Sequence, residues 1–144
     1  MLDFVPDMER LSRIFSAATA PAFFLGAVAG FVSLMATRLS AVTERARSLN
    51  AIADDDNARA YLKTDLERLR RRAILLNSGI VAALRGGLCA TLLLIVIFGT
   101  EFVGLKYAYG AGLLFMIATA FLGFALLRFS QEASLGYTSS DEYQ

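Results

Sequence analysis

The sequence predicts an all-α integral membrane protein: three transmembrane helices, an N-terminal amphipathic surface helix, and a cytoplasmic helical hairpin between spans one and two. Three observations carry that expectation. Counted with glycine in place of tyrosine, roughly 60% of the chain is apolar, against about 45–50% in soluble domains. The apolar residues gather in three runs long enough to cross about 30 Å of hydrocarbon as helices. Nine of the 14 basic residues crowd between the first two runs instead of spreading evenly.

The first element is "DMERLSRIF", which puts Met8, Leu11 and Phe15 on one helical face and Glu9, Arg10 and Arg13 elsewhere. That pattern suits a helix lying on the outer surface, so residues 1–16 are expected to form an outer amphipathic segment. Asp3, Asp7 and Glu9 argue against a cleaved signal peptide, whose start is basic and whose apolar run is shorter. Pro21 predicts a kink where the surface helix turns into the membrane.

Residues 17–37, "AATAPAFFLGAVAGFVSLMAT", form a charge-free first span. The second span falls within 73–100 and the third within 107–127. Residues 101–106 leave only a tight turn, which makes spans two and three antiparallel neighbours. The membrane unit is therefore expected over 17–128, and a flexible polar tail over 129–144.

Between spans one and two the polar segment is periodic. Leu39, Val42, Ala46, Leu49 and Ala53 are spaced three and four apart, as are Leu62, Leu66, Leu69, Ala73 and Leu76. Two heptad seams predict a coiled-coil hairpin at 38–73, projecting about 20 Å at 1.5 Å per residue. Its turn, "ADDDN", supplies side chains that accept bonds from the free amides opening the second arm. Asp54, Asp55 and Asp56 are adjacent and lack the glycine of a calcium loop, so no metal site is expected there.

Charge sets the orientation. Arg38, Arg45, Arg47, Arg59, Lys63, Arg68, Arg70, Arg71 and Arg72 all lie between the first two spans, which assigns the hairpin and the C-terminal tail with Arg128 to the cytoplasm. The N-terminus and the 101–106 turn are then outside, with Phe98, Phe102, Tyr107 and Tyr109 at the outer interface. Arg70, Arg71 and Arg72 are expected to bind anionic lipid headgroups, at about 1 kcal/mol each.

Composition removes most chemistry. The chain has no histidine and one cysteine, Cys89, which excludes imidazole acid–base catalysis, His-ligated haem, thiolate metal clusters and internal disulfides. Cys89, in an apolar stretch, reads as a small buried hydrophobe. No acid, base and nucleophile can be assembled into an enzyme site, and no cofactor is implied. The formal charge of +1 gives no field for nucleic acid.

Lipid provides no hydrophobic drive between helices, so small residues that allow close backbone approach take that role. Gly26 and Gly30 in the first span, Gly79, Ala83, Gly87 and Thr91 in the second, and Thr119 and Gly123 in the third are the candidate packing positions. One residue breaks the apolar pattern of the second span. Arg85 lies in "VAALRGGLCATLL", and the three spans contain no acidic partner for it. It either snorkels to the cytoplasmic boundary, bonding carbonyls or Ser33, Thr37, Asn77 or Ser78, or lines an anion pore in an oligomer.

The stretch "IFSAATAPAFFLGAVAGFVSLMATRLSAVTERARSLN", followed by "LERLRRRAILLNSGIVAAL" and a third apolar segment, resembles a bacterial domain-of-unknown-function family of small three-span inner-membrane proteins. Pro21, the exit Arg38-Leu39-Ser40, the Glu44, Arg45 and Arg47 positions and the Arg70–Arg72 run carry the resemblance, over roughly residues 12–130. It implies a multi-pass protein of the bacterial inner membrane. It implies nothing for Arg85, which is not typical of that family. The functional expectation is a non-enzymatic protein that self-associates as a homo-oligomer and presents its hairpin as a scaffold or accessory subunit of a larger membrane complex. The alternative is an oligomeric anion-conducting pore lined by Arg85; a membrane enzyme ranks third.

Overall fold

The computed structural model describes residues 8–52, 64–103 and 108–141. They form three long helices, α1 (Met8–Asn50), α2 (Leu66–Val103) and α3 (Ala108–Asp141). Each holds a stretch long and apolar enough to cross a membrane, and the chain is a multi-pass, all-helical membrane protein. The middle helix, α2, packs along both of the others. The outer two meet mainly through large side chains: Phe24 against Phe115 and Phe31 against Phe129, both edge-on, with ring centroids 5.9 and 5.4 Å apart.

Two boundaries differ from the sequence expectation. Residues 8–16 are the first turns of α1 itself, which passes through Pro21 without a separate surface helix before it. Proline costs one backbone bond there, and the long helix to either side tolerates the loss. Residues 129–141, read as polar tail, continue α3 as helix. A single charge at Arg128 ended the apolar run but not the helix, because helical propensity does not depend on hydrophobicity.

Burial follows a seven-residue rhythm in all three helices. A buried set repeats every seven residues in each helix: Pro21, Val28, Met35, Val42 and Leu49 in α1, Leu69, Leu76, Ala83 and Ala90 in α2, and Ala118, Ala125 and Glu132 in α3, with others such as Phe24, Ala82 and Leu93 buried beside it. A seven-residue repeat keeps one seam facing its neighbour when helices cross at a small left-handed angle. The seam continues beyond the apolar runs. Val42, Leu49, Leu69 and Leu76 belong to the same buried cluster as the membrane positions, with Leu39, Ala46, Ile52, Leu66 and Ala73 packed against it. Ala53, Leu62 and the "ADDDN" turn lie outside the described residues.

Threonine hydroxyls within the apolar runs are satisfied by their own helices. Thr37 donates to the Ser33 carbonyl, Thr91 to Gly87 and Thr119 to Phe115, each at 3.0 Å. This removes the penalty for an unpaired donor in hydrocarbon.

Where backbones come closest, α2 supplies glycine. A side chain at Gly86 would place its Cβ 3.0 Å from the Ala118 carbonyl oxygen and 3.3 Å from the Phe121 Cβ. At Gly79 it would meet the Met35 sulfur at 3.0 Å, the Ala125 carbonyl oxygen at 3.5 Å and the Arg128 Cβ at 3.5 Å. Gly86→Ala should therefore force α2 and α3 apart and cost about 1–3 kcal/mol, as overpacking does. Gly26→Ala and Gly30→Ala, in open space, should leave the protomer's stability unchanged. Chemical-denaturant unfolding of the three variants in one detergent measures the contrast.

Candidate functional site

The side chain that joins all three helices is Glu132 of α3. It sits on the same seven-residue seam as Ala118 and Ala125, so the packing that buries those alanines also buries a carboxylate, at 0% exposure. Arg72 of α2 donates to its Oε1 from both Nε, at 2.9 Å, and Nη2, at 2.7 Å. Arg38 of α1 brings its Nε to 3.4 Å from Oε2. Arg72 is 19% exposed and Arg38 is 36% exposed, so the group is wet on one side and dry at the carboxylate.

Each arginine is held by its surroundings. Arg38 lies over the Phe129 ring at 5.2 Å, within cation–π range, and that ring is itself braced by Phe31. Arg72 has room because Gly136, one turn beyond Glu132, lacks a side chain: a Cβ there would lie 3.3 Å from Nη2. The cluster marks the level where the charge-free run of α1 ends, at Arg38, and where that of α2 begins, after Arg72.

The two ion pairs are not equivalent. Arg72 makes two short charge-assisted bonds and is mostly buried, whereas Arg38 makes no hydrogen bond to Oε2, which is left without one. Desolvating a carboxylate costs several kcal/mol, so the pairs hold the helices in register more than they add net stability. The chemistry supplied is a fixed cationic layer around one buried anion.

This placement corrects the reading of the "RRR" run as three equal headgroup ligands. Arg70 and Arg71 face outward, but Arg72 is turned inward to Glu132. Glu132 itself was missed from sequence, because the third span was closed at Leu127. The recurrence of Ala118 and Ala125 at seven-residue spacing was the available signal.

Arg85 lies elsewhere. It is exposed, on the side of α2 that faces α3's outer surface, and it lines a groove of about 720 Å³ together with Asn77, Ser78, Val81, Phe121 and Phe124. Among the described residues no carboxylate pairs with it. Of the small residues singled out, Gly79, Ala83 and Gly87 are buried, and a Cβ at Gly87 would lie 3.4 Å from Val28 of α1. Thr91 and Thr119 are exposed, and Gly26, Gly30 and Gly123 have nothing within reach. Cys89 is half-buried against the core cluster.

Truncating Arg72 strands a buried charge. Arg72→Leu should therefore destabilise the protein by about 3–5 kcal/mol. Arg38→Leu should cost less, about 0–1 kcal/mol, because that contact is longer and partly solvated. Adding Glu132→Leu to Arg72→Leu should recover much of the loss, since the uncompensated anion is gone. A double-mutant cycle by thermal or denaturant unfolding reads all three; equal losses from both arginines would contradict the geometry.

No curated protein and no solved structure matches the chain. A family model described as "Protein of unknown function (DUF2721)" matches residues 18–141. The match spans α1 from Ala18 onward and the whole of α2 and α3, and includes Arg38, Arg72 and Glu132. The chain belongs to this DUF2721 family of unknown function.

Proposed function

We propose that the protein is a non-enzymatic scaffold or accessory subunit of the bacterial inner membrane, which self-associates and offers a projecting helical hairpin to cytoplasmic partners. One observation carries this reading. Past the charged layer, α1 runs on to Asn50 and α2 begins at Leu66, and their facing residues Val42, Leu49 and Leu69 stay buried. A connector that only joined two spans would need no packed seam. The outer surfaces of the same segments carry Glu44, Arg45, Arg47, Glu67 and Arg70, a mixed charged face suited to a polar protein partner.

Self-association is supported by the small-residue faces left unused within one chain. Gly26 and Gly30 on α1 stand in open space, and so does Gly123 on α3, one turn from the exposed Thr119. In lipid such faces favour contact between helices of different copies. The anion-pore alternative draws on the exposed Arg85, which has no carboxylate partner among the described residues and would line a channel if copies assembled around the α2–α3 face.

Gly26→Leu with Gly30→Leu should convert an oligomer to monomer in detergent or nanodiscs without unfolding it, read by light scattering and disulfide-free crosslinking. Cysteines placed at Ser48 in a Cys89→Ala background should resist impermeant reagents in intact cells, whereas those at Gly104 should react. Labelling at Ser48 from outside would reverse the orientation and sink the cytoplasmic-partner reading. Chloride flux through liposomes bearing the parent, abolished by Arg85→Glu and kept by Arg85→Lys, would establish the pore instead.

A further inference from the structure

We propose that the groove between α2 and α3 is a binding site for one anionic phospholipid of the cytoplasmic leaflet, with an acyl chain along its apolar walls and the phosphate held by Arg85 and Arg128.

The geometry comes from the antiparallel register of the two helices. Gly79 lies against Ala125 and Arg128, and Gly86 against Ala118 and Phe121, so Arg85 starts at about the level of Phe121. Helical side chains lean toward their own N-terminus, which on α2 directs Arg85 toward Val81 and the level of Phe124. Arg128 leans the opposite way along the molecule, and its guanidinium lies over the Phe124 ring at 4.8 Å. The two side chains thus reach along the groove from opposite ends toward the level of Phe124, which Arg128 covers and which lines the groove with Arg85. Arg128 continues the stripe Ile117, Phe121 and Phe124, spaced four, three and four apart.

The chemistry of the cleft selects the occupant. Its volume of about 720 Å³ is within the roughly 300–1,000 Å³ of ligand sites, and its walls are Val81, Ile117, Phe121 and Phe124. Asn77 and Ser78 line the end where the charge-free runs of α2 and α3 meet the cationic layer; the Asn77 amide carries donors for a headgroup, while the Ser78 hydroxyl donates to the Leu75 carbonyl at 2.9 Å. Arg128 touches no carboxylate among the described residues; its Nη1 makes a long contact of 3.5 Å to Gln131, and its buried Nε has no hydrogen-bond partner. A second copy of the chain cannot neutralise this pair from its spans, because residues 17–37, 73–100 and 107–127 contain no Asp or Glu. A lipid phosphate supplies the missing charge at this depth, and the tail covers the exposed rings.

The test uses the full chain in zwitterionic nanodiscs, titrated with phosphatidylglycerol or phosphatidylcholine and read by native mass spectrometry for retained lipid. One phosphatidylglycerol per chain should be retained, at least tenfold more tightly than phosphatidylcholine. Arg85→Gln and Arg128→Gln should each weaken retention about fivefold, the effect of one cation near a membrane surface. Arg45→Gln with Arg47→Gln removes two exposed cations elsewhere on the chain and should leave the retained lipid in place. Ala120→Trp keeps both site cations but fills the groove, and should release the lipid; Ala120→Phe serves if the larger ring prevents folding. Equal retention of the two lipids, or equal loss in the Arg45/Arg47 variant, would overturn the proposal. So would displacement by millimolar inorganic phosphate, which would make the site one for a soluble anion, or a groove closed by a second copy with no lipid bound.

Discussion

The structure turns on one buried carboxylate shared by two arginines. Glu132 is reached by Arg72 from α2 and by Arg38 from α1, so a single side chain fixes where three helices stand relative to one another. Apolar seams do not do this well by themselves, since a slide of one heptad along a run of alanine, leucine and valine exchanges one good contact for another. An ion cluster has no second register, because a shifted Glu132 would face hydrocarbon or empty space. A polar layer in an apolar bundle gives up some stability to specify one arrangement. The cluster sits where the charge-free runs end, so the same residues that select register also mark the depth at which the bundle leaves the bilayer.

Around that layer the helices divide the work of packing. α1 contributes bulk, with Phe24, Val28 and Met35, and α2 contributes space, with Gly79, Ala83, Gly86, Gly87 and Ala90. This complementarity lets α2 lie close to both neighbours. It also leaves α1 and α3 further apart, bridged by Phe24 with Phe115, Phe31 with Phe129 and Arg38 with Glu132. The result is a three-helix row with a distinct middle member, whose outward grooves differ in chemistry: the α2–α3 groove carries Arg85, and the α1 face carries bare glycines.

Much of this is legible in the sequence. The three spans follow from run length, and the extension of the α1 and α2 seams follows from three-and-four spacing at Leu39, Val42, Leu49, Leu69 and Leu76. Small residues on α2 also signalled close approach, although Gly86, the tightest of them, was passed over for its neighbour Gly87. The ion cluster escaped for a physical reason. Its members are separated by up to 94 positions in sequence, and hydropathy assigns every charged residue outside a run to solvent. Deciding that Glu132 is buried requires following α3 past Arg128 on helical phase instead of on polarity. The N-terminal stretch is ambiguous in sequence, because an amphipathic segment next to a span is compatible with a separate helix and with the first turns of the same one, and residues 8–16 are continuous with α1.

The order of the cluster along the chain has a consequence for how the protein is made. Arg38 and Arg72 are synthesised first and Glu132 last, 60 residues after Arg72. While only α1 and α2 are in the membrane, two guanidiniums face a common side with no protein anion between them, and water and lipid phosphate must hold them. The third helix brings the acid only if it enters with its C-terminal half on the same side of the bilayer as those arginines. A third span entering the other way would carry Glu132 to the far side and leave Arg38 and Arg72 without their shared carboxylate.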